Sequence, residues 1–162
     1  MHGAHCGYIS TLTIPTSAHT KSRFSRRTTK WHGMIMPRVF RTRSFERSMR
    51  RSTLTDEALC RAVDEMRRGL IDASLGGGVF KKRVALPGRG KRGSVRTLIA
   101  TQRGSHWFFL FGYEKNQRAT ISSTERDLLL GLATDLFGMC GAQIASALMS
   151  GELYEICRDQ DP

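Results

Sequence analysis

Between Gly76 and Lys115 the chain alternates apolar runs with glycine-rich breaks, and this punctuation leaves few folds open to it. The run Gly76, Gly77, Gly78 precedes VFKKRVAL, the segment LPGRGKRG leads from there into SVRTLIATQ, and Gly104 with Ser105 stands before HWFFLFGYEK. Each apolar run has the length of a strand, and the glycines supply the backbone freedom that tight turns require. Three strands in close succession predict consecutive hairpins and therefore antiparallel pairing. HWFFLFGYEK is the most apolar of the three and belongs at the centre of a sheet. In VFKKRVAL, Phe80, Val84 and Leu86 share a parity with Lys82, while Lys81, Arg83 and Ala85 point the other way, so one face is apolar and one basic. SVRTLIATQ is hydrophobic on both parities apart from Arg96.

The flanking segments read as helices. Val39, Arg41 and Arg43 alternate with Phe40, Thr42 and Ser44 as a short first strand, after which Phe45 and Met49 fall four apart. Thr55, followed by Asp56 and Glu57, is an N-cap with acids in the first turn, where they complement the helix dipole. The helix it opens carries Leu59, Val63, Met66 and Leu70 as one stripe. Ser122 to Glu125 reads as a capping box for a helix with Leu128, Leu129, Leu132, Leu136 and Phe137 on its apolar face. Gly141 interrupts that helix, Ala142 to Met149 forms a further short one, and Leu153 and Ile156 make a last apolar contact. This order predicts an α+β domain, a small antiparallel sheet of about four strands packed against N-terminal and C-terminal helices, with the helices on the face opposite the basic one.

Residues 36–157 make up that domain. Residues 1–35 are rich in Ser, Thr, Gly and His, with all their charged residues basic, and read as a disordered extension or as sequence upstream of a true start at Met36. Residues 158–162 read as a flexible tail. No run approaches the roughly 20 apolar residues of a membrane span, and no positive n-region precedes the first semi-apolar stretch, so a cytoplasmic protein without membrane partners is expected. Cys6, Cys60, Cys140 and Cys157 lie far apart without a CxxC pair, so a disulfide framework and a zinc site are not expected, and Cys60 and Cys140 read as buried thiols.

Charge narrows the function. Lys and Arg number 26 against 14 Asp and Glu, a net charge of +12, which makes a polyanion a natural partner. From Ala73 to Tyr113 there is no acid, whereas Lys81, Lys82, Arg83, Arg89, Lys91, Arg92, Arg96 and Arg103 fall there; the segment from Thr124 to Pro162 carries seven acids against only Arg126 and Arg158. Nucleotide-binding, zincin and serine-hydrolase motifs are missing, so no cofactor and no metal is expected. His106 opens a hydrophobic strand and reads as structural. What remains is a set of cations with one aromatic: Lys82, Arg83, Lys91, Arg96, Tyr113, Lys115 and Arg118. Arg96 and Tyr113 are each about nine residues from a turn near Gly104, so a hairpin pairs them approximately. Such cations can hold a phosphodiester and stabilise its pentacoordinate transition state, and RNA whose own 2′-hydroxyl attacks needs no metal. A lysine or arginine is a poor general base near neutrality, which leaves open a basic face that binds without cutting.

The segments MPRVFRTRSF, LTDEALCRAVDEMRRGLIDASLGGGVFKKRVALPGRGKRGSVRTLIA and FFLFGYEKNQRATIS, with the closing leucine-rich helix, resemble the RelE/ParE superfamily, in particular the HigB-like toxins of type II toxin–antitoxin systems, over about residues 36–156. The resemblance implies a RelE-like sheet packed against helices and an mRNA endoribonuclease, in many relatives one that acts at the ribosome. It matches Arg96 to the phosphate-binding strand arginine, and Lys115 and Arg118 to the basic pair after the last core strand. Tyr113 then completes the catalytic set, with Lys81, Lys82, Arg83, Arg89, Lys91 and Arg92 as RNA-binding residues. Many active relatives carry a tyrosine or histidine soon after the last arginine, where Ala119 to Ser123 has neither, and Tyr113 is the candidate substitute. A cognate helix-turn-helix antitoxin is the implied partner. A ParE-like inhibitor of DNA gyrase and an inactive RNA-binding protein are the alternatives.

Overall fold

A computed structural model describes residues 38–89, 93–102 and 106–158. The segments 1–35 and 159–162, the residues Lys91 and Arg92, and the turn at Gly104 and Ser105 lie outside the described residues. The elements are β1 (Val39–Thr42), α1 (Arg43–Met49), α2 (Asp56–Arg67), β2 (Ala73–Gly76), β3 (Val79–Ala85), β4 (Ser94–Thr101), β5 (Trp107–Glu114), α3 (Ser123–Phe137), α4 (Gly141–Met149) and β6 (Leu153–Ile156). Six strands form one sheet in the order β2-β3-β4-β5-β1-β6.

The α+β architecture and the meander β3-β4-β5 are as expected, and the hairpin pairing places Arg96 opposite Tyr113. Two short strands extend the sheet beyond the four expected: β2 pairs antiparallel with β3, and β6 with β1. The sheet is also mixed, because β1 lies parallel to β5, with Val39, Phe40 and Arg41 opposite Trp107, Phe108 and Phe109. A parallel neighbour needs a long crossover, and here α1, α2 and the β2-β3-β4 segment supply it.

Helices cover both faces, not only the one opposite the basic residues. The cause lies in β4 and β5, which carry large apolar side chains on both parities and so must be buried on both sides. Against α1 and α2 pack Val39, Val95, Ile99, Trp107 and Phe109, meeting Phe45, Met49, Leu59, Val63 and Met66. Against α3 and α4 pack Phe40, Val79, Ala100, Phe108 and Leu110, meeting Ala133, Leu136, Ile144 and Ala147. Phe40, Phe108, Phe109 and Leu110 are almost wholly buried, and each such side chain contributes about 1.5–3 kcal/mol.

The caps form as read. Thr55 Oγ1 accepts the Ala58 N–H at 3.3 Å, and Ser122 and Glu125 complete a reciprocal capping box. Two apolar stripes are narrower than expected. Leu70 falls after the end of α2, beyond Gly69 in its left-handed conformation (φ 88°), and is exposed, as is Leu128 on α3. Lys82, on the apolar parity of β3, is buried there.

Gly112 lets α1 approach the sheet, since a Cβ at this position would run into Met49 Sδ and press on Phe45. Gly112→Ala is therefore expected to cost about 1–3 kcal/mol by overpacking, measured by chemical denaturation. Adding Met49→Ala should make the double variant more stable than the sum of the two single losses.

Contrary to the sequence expectation, Cys60 and Cys157 form a disulfide that spans 97 positions and ties α2 to the residue after β6. Cys60 is thus bonded rather than a thiol. Nothing in the cysteine spacing signals the pairing, which depends on β6 carrying Cys157 across the sheet to α2.

Candidate functional site

One rung of the sheet carries the site. Arg83 on β3 stands opposite Arg96 on β4, which stands opposite Tyr113 on β5, and residues directly opposed in antiparallel strands point to the same face. Lys81 shares that face, two residues along β3 from Arg83. Alternation along β4, together with a one-residue bulge in β5 between Phe109 and Phe111, makes this the side on which Ala100 and Phe108 meet α3 and α4, but at the other end of the strands.

The turn after β5 brings a further cation back over the rung. Gln117 and Arg118 both donate their backbone N–H to the Glu114 carbonyl, at 3.0 and 3.3 Å. The Arg118 guanidinium then lies 5.6 Å from the Tyr113 ring centre and 5.8 Å from that of Phe111, within cation–π range. Arg118 is anchored from the other side by Glu125, the capping-box residue of α3, through Nη1 at 2.8 Å and Nη2 at 2.5 Å. Its Nε donates to the Thr120 carbonyl. Glu125 accordingly has two tasks: it caps α3 through the Ser122 N–H and fixes the plane of Arg118.

The Arg118 donors, and after them the Ser122 N–H, hold the Glu125 carboxyl at about 2. Glu155 is likewise held at about 2, first by its hydrogen bonds from Arg38, and Arg158 adds to the effect. A carboxylate whose folded pKa is depressed contributes stability above its unfolded pKa, near 4.5, and loses it as pH falls toward the folded value. Thermal midpoints should therefore drop as pH is lowered from about 4.5 to about 2. The drop should be shallower in Glu155→Gln, whose midpoint is already reduced at neutral pH.

Arg96 differs from its neighbours. It is half-buried, and no carboxylate or hydrogen-bond acceptor engages its guanidinium among the described residues. Arg83 is exposed and pairs with Asp72, and Arg89 lies 3.7 Å from Glu114. Lys115 is exposed in the turn directly after β5, without a carboxylate partner among the described residues. Tyr113 is 2% exposed, and its buried hydroxyl has no hydrogen-bond partner among the described residues. An unsatisfied buried hydroxyl costs on the order of 1–3 kcal/mol.

Lys82 does not join this set. It projects through the opposite face, where Nζ meets Glu65 Oε2 at 2.7 Å and donates to the Leu70 carbonyl at 2.9 Å, pinning the end of α2 to the sheet. Its parity with Val84 and Leu86 is the signal in the sequence. Lys91 and Arg92 lie outside the described residues. The Arg118–Glu125 pair was not read from sequence, where Glu125 was assigned to the cap alone. His106 sits at the far end of β5, edge-on to Phe40 at 5.6 Å, with burial pushing its pKa down. Among the described residues no three His, Cys, Asp or Glu side chains cluster as metal ligands. No single helix is long and apolar enough to cross a membrane; α3 and α4 reach that composition only as a pair bent by 117°.

These features define a small α+β protein whose mixed sheet is clamped between two helical pairs and carries a cationic rung at one end. The profile of the RelE toxin of the RelE/RelB toxin–antitoxin system matches residues 37–156. The chain belongs to the RelE family, and with it to the RelE/ParE superfamily. No curated protein matches it significantly.

Proposed function

We propose that this protein is the toxin of a type II toxin–antitoxin pair, of the HigB-like kind, and that it cleaves mRNA without a metal, at the ribosome. The observation that carries the reading is the convergence of Arg96, Arg118 and Tyr113 on one rung, with Arg96 free of any carboxylate among the described residues. A cation already matched by a carboxylate adds little net field to a phosphate; Arg96 adds a full charge from a half-buried position, where screening is weaker. In the proposed reaction the 2′-oxygen forms a bond to phosphorus and the bond to the 5′-oxygen breaks. The proton of the 2′-hydroxyl leaves and another arrives on the 5′-oxygen. Arg96 meets the charge that develops on the phosphoryl oxygens, Arg118, held by Glu125, borders the phosphate on the Tyr113 side, and the Tyr113 hydroxyl is the candidate proton carrier. Lys81, Arg83, Arg89 and Lys115 hold flanking phosphates, with Lys91 and Arg92 proposed for the same role. The partner is a small antitoxin with a helix-turn-helix domain.

A second reading, a ParE-like inhibitor of gyrase, draws on two observations: Ala119 to Ser123 offers no tyrosine or histidine, and the Tyr113 hydroxyl is buried. Regulated expression in a bacterial host with mapping of RNA 5′ ends separates the two. Growth arrest with new 5′-hydroxyl ends inside translated messages is expected. Arrest with intact messages and broken or supercoiling-defective DNA would favour gyrase.

A further inference from the structure

A polar cavity of about 360 Å³ opens on the side of Lys81 away from the rung, between β2, β3 and the loop that enters α3. Lys81, Arg126, Ser74, Thr120, Ser122 and Ser123 supply its polar lining, and no acidic residue among the described residues lines it. The nearby Glu125 carboxylate is already occupied by Arg118 and by the Ser122 N–H. Arg126 donates Nη2 to the Leu75 carbonyl at 2.8 Å, which fixes the guanidinium at the wall while leaving its other N–H groups unused among the described residues. Lys81 has no carboxylate or carbonyl partner among the described residues, and its three ammonium protons remain for a ligand. Two unmatched cations and several hydroxyls around an opening without acids match the chemistry of a phosphate group.

Lys81 also links the cavity to the rung. It lies on the same face of β3 as Arg83, two residues away, which is about 6.6 Å along a strand. The sheet therefore presents cations in sequence from Arg96 through Arg83 to Lys81, and Arg126 at the start of α3 continues the series across the cavity.

We propose that this cavity is a second phosphate subsite, built by Lys81 and Arg126, that takes a phosphodiester of single-stranded RNA beyond the cleaved bond. The inference rests on the reading that the Arg96 rung receives RNA. Its role is to set how much RNA the protein holds: a short substrate covering only the rung does not reach it, and a longer one does.

The test measures binding of the full-length chain to a 2′-deoxy-blocked dinucleotide and to a longer single-stranded RNA of the same sequence, by fluorescence anisotropy over a salt series. For the longer RNA, Arg126→Gln should weaken binding several-fold and lower the salt slope by up to about 0.7 for the lost phosphate contact. Dinucleotide binding should be unchanged. Arg126→Lys, which keeps the charge, should retain the wild-type slope if Arg126 acts as a cation and not only as a strut to Leu75. Equal losses on both RNAs, or an unaltered slope on the longer one, would overturn the subsite while Arg96→Gln still weakened both. Failure of the wild-type protein to bind either RNA, or indifference of both to Arg96→Gln, would overturn the rung reading and the subsite with it.

Discussion

Arg96→Ala is expected to reduce RNA cleavage by about 10²–10³-fold, the loss usual when one preorganised donor is removed from a developing oxyanion. The size follows from the surroundings of Arg96. Arg118 shares its charge with Glu125 and Arg83 shares its own with Asp72, whereas Arg96 has no such partner among the described residues. The loss should appear in single-turnover rates more than in binding, because the charge on phosphorus grows in the transition state. Arg96→Lys should recover only part of the rate, since an ammonium keeps the charge but not the planar fork that meets two phosphoryl oxygens. Thermal stability should change little, by less than about 1 kcal/mol, because no internal hydrogen bond is broken. A variant that melted early and lost activity in proportion would assign Arg96 to the fold instead.

The second large effect concerns stability. The Cys60–Cys157 bond closes a loop of 97 positions, and cross-linking a loop of about 100 residues restricts the unfolded chain by about 4.7 kcal/mol. Reduction, or Cys60→Ser with Cys157→Ser, is expected to remove a large part of that. With about 2–4 °C of thermal midpoint per kcal/mol for a chain of this size, the midpoint should fall by several degrees and by at most about 20 °C. Local backbone geometry offsets part of the effect, since the strain of a left-handed non-glycine residue is relieved when the bond is broken. Cys157 is the one described residue other than glycine with a left-handed backbone, φ 58°, and the bond to α2 holds it there. Once released, the end of β6 should fray first, so amide exchange at Ile156 should accelerate more than at Leu98 in the sheet interior. A melting curve indifferent to reductant would show that the cross-link contributes nothing in solution.

Local rules made much of the fold legible. Thr55 and the Ser122–Glu125 box were readable because a cap is decided within four residues. The approximate Arg96–Tyr113 pairing was readable by counting outward from a turn near Gly104, but a one-residue bulge at Leu98/Ile99, which no count reveals, is what sets Arg96 opposite Tyr113 rather than Gly112. Features that depend on distant parts of the chain were not. The parallel β1–β5 pair joins segments separated by α1, α2 and three strands, and β6 is only four residues long, so neither leaves a periodic trace. The two-sided helical cover had a signal in the double apolar parity of β4 and β5.

For the site, composition located the cations but could not rank them. That ranking depends on where carboxylates fall: Glu65 takes Lys82 through the opposite face, and Glu125 reaches back to Arg118. Neither pairing follows from spacing along the chain, since each is made by an element packing against the sheet.

The central claim is that RNA phosphate sits on the rung of Arg96, Tyr113 and Arg118. Its most direct test is a titration of the isotopically labelled protein with an RNA blocked at the 2′-position, following arginine side-chain N–H resonances by nuclear magnetic resonance. The Arg96 and Arg118 signals should move first and furthest, while those of Arg43 and Arg158, which pair with Glu152 and Glu155 at the β6 edge, should stay in place. Shifts confined to Arg43, Arg158 or the α1–α2 face, with Arg96 unmoved at saturation, would contradict the assignment.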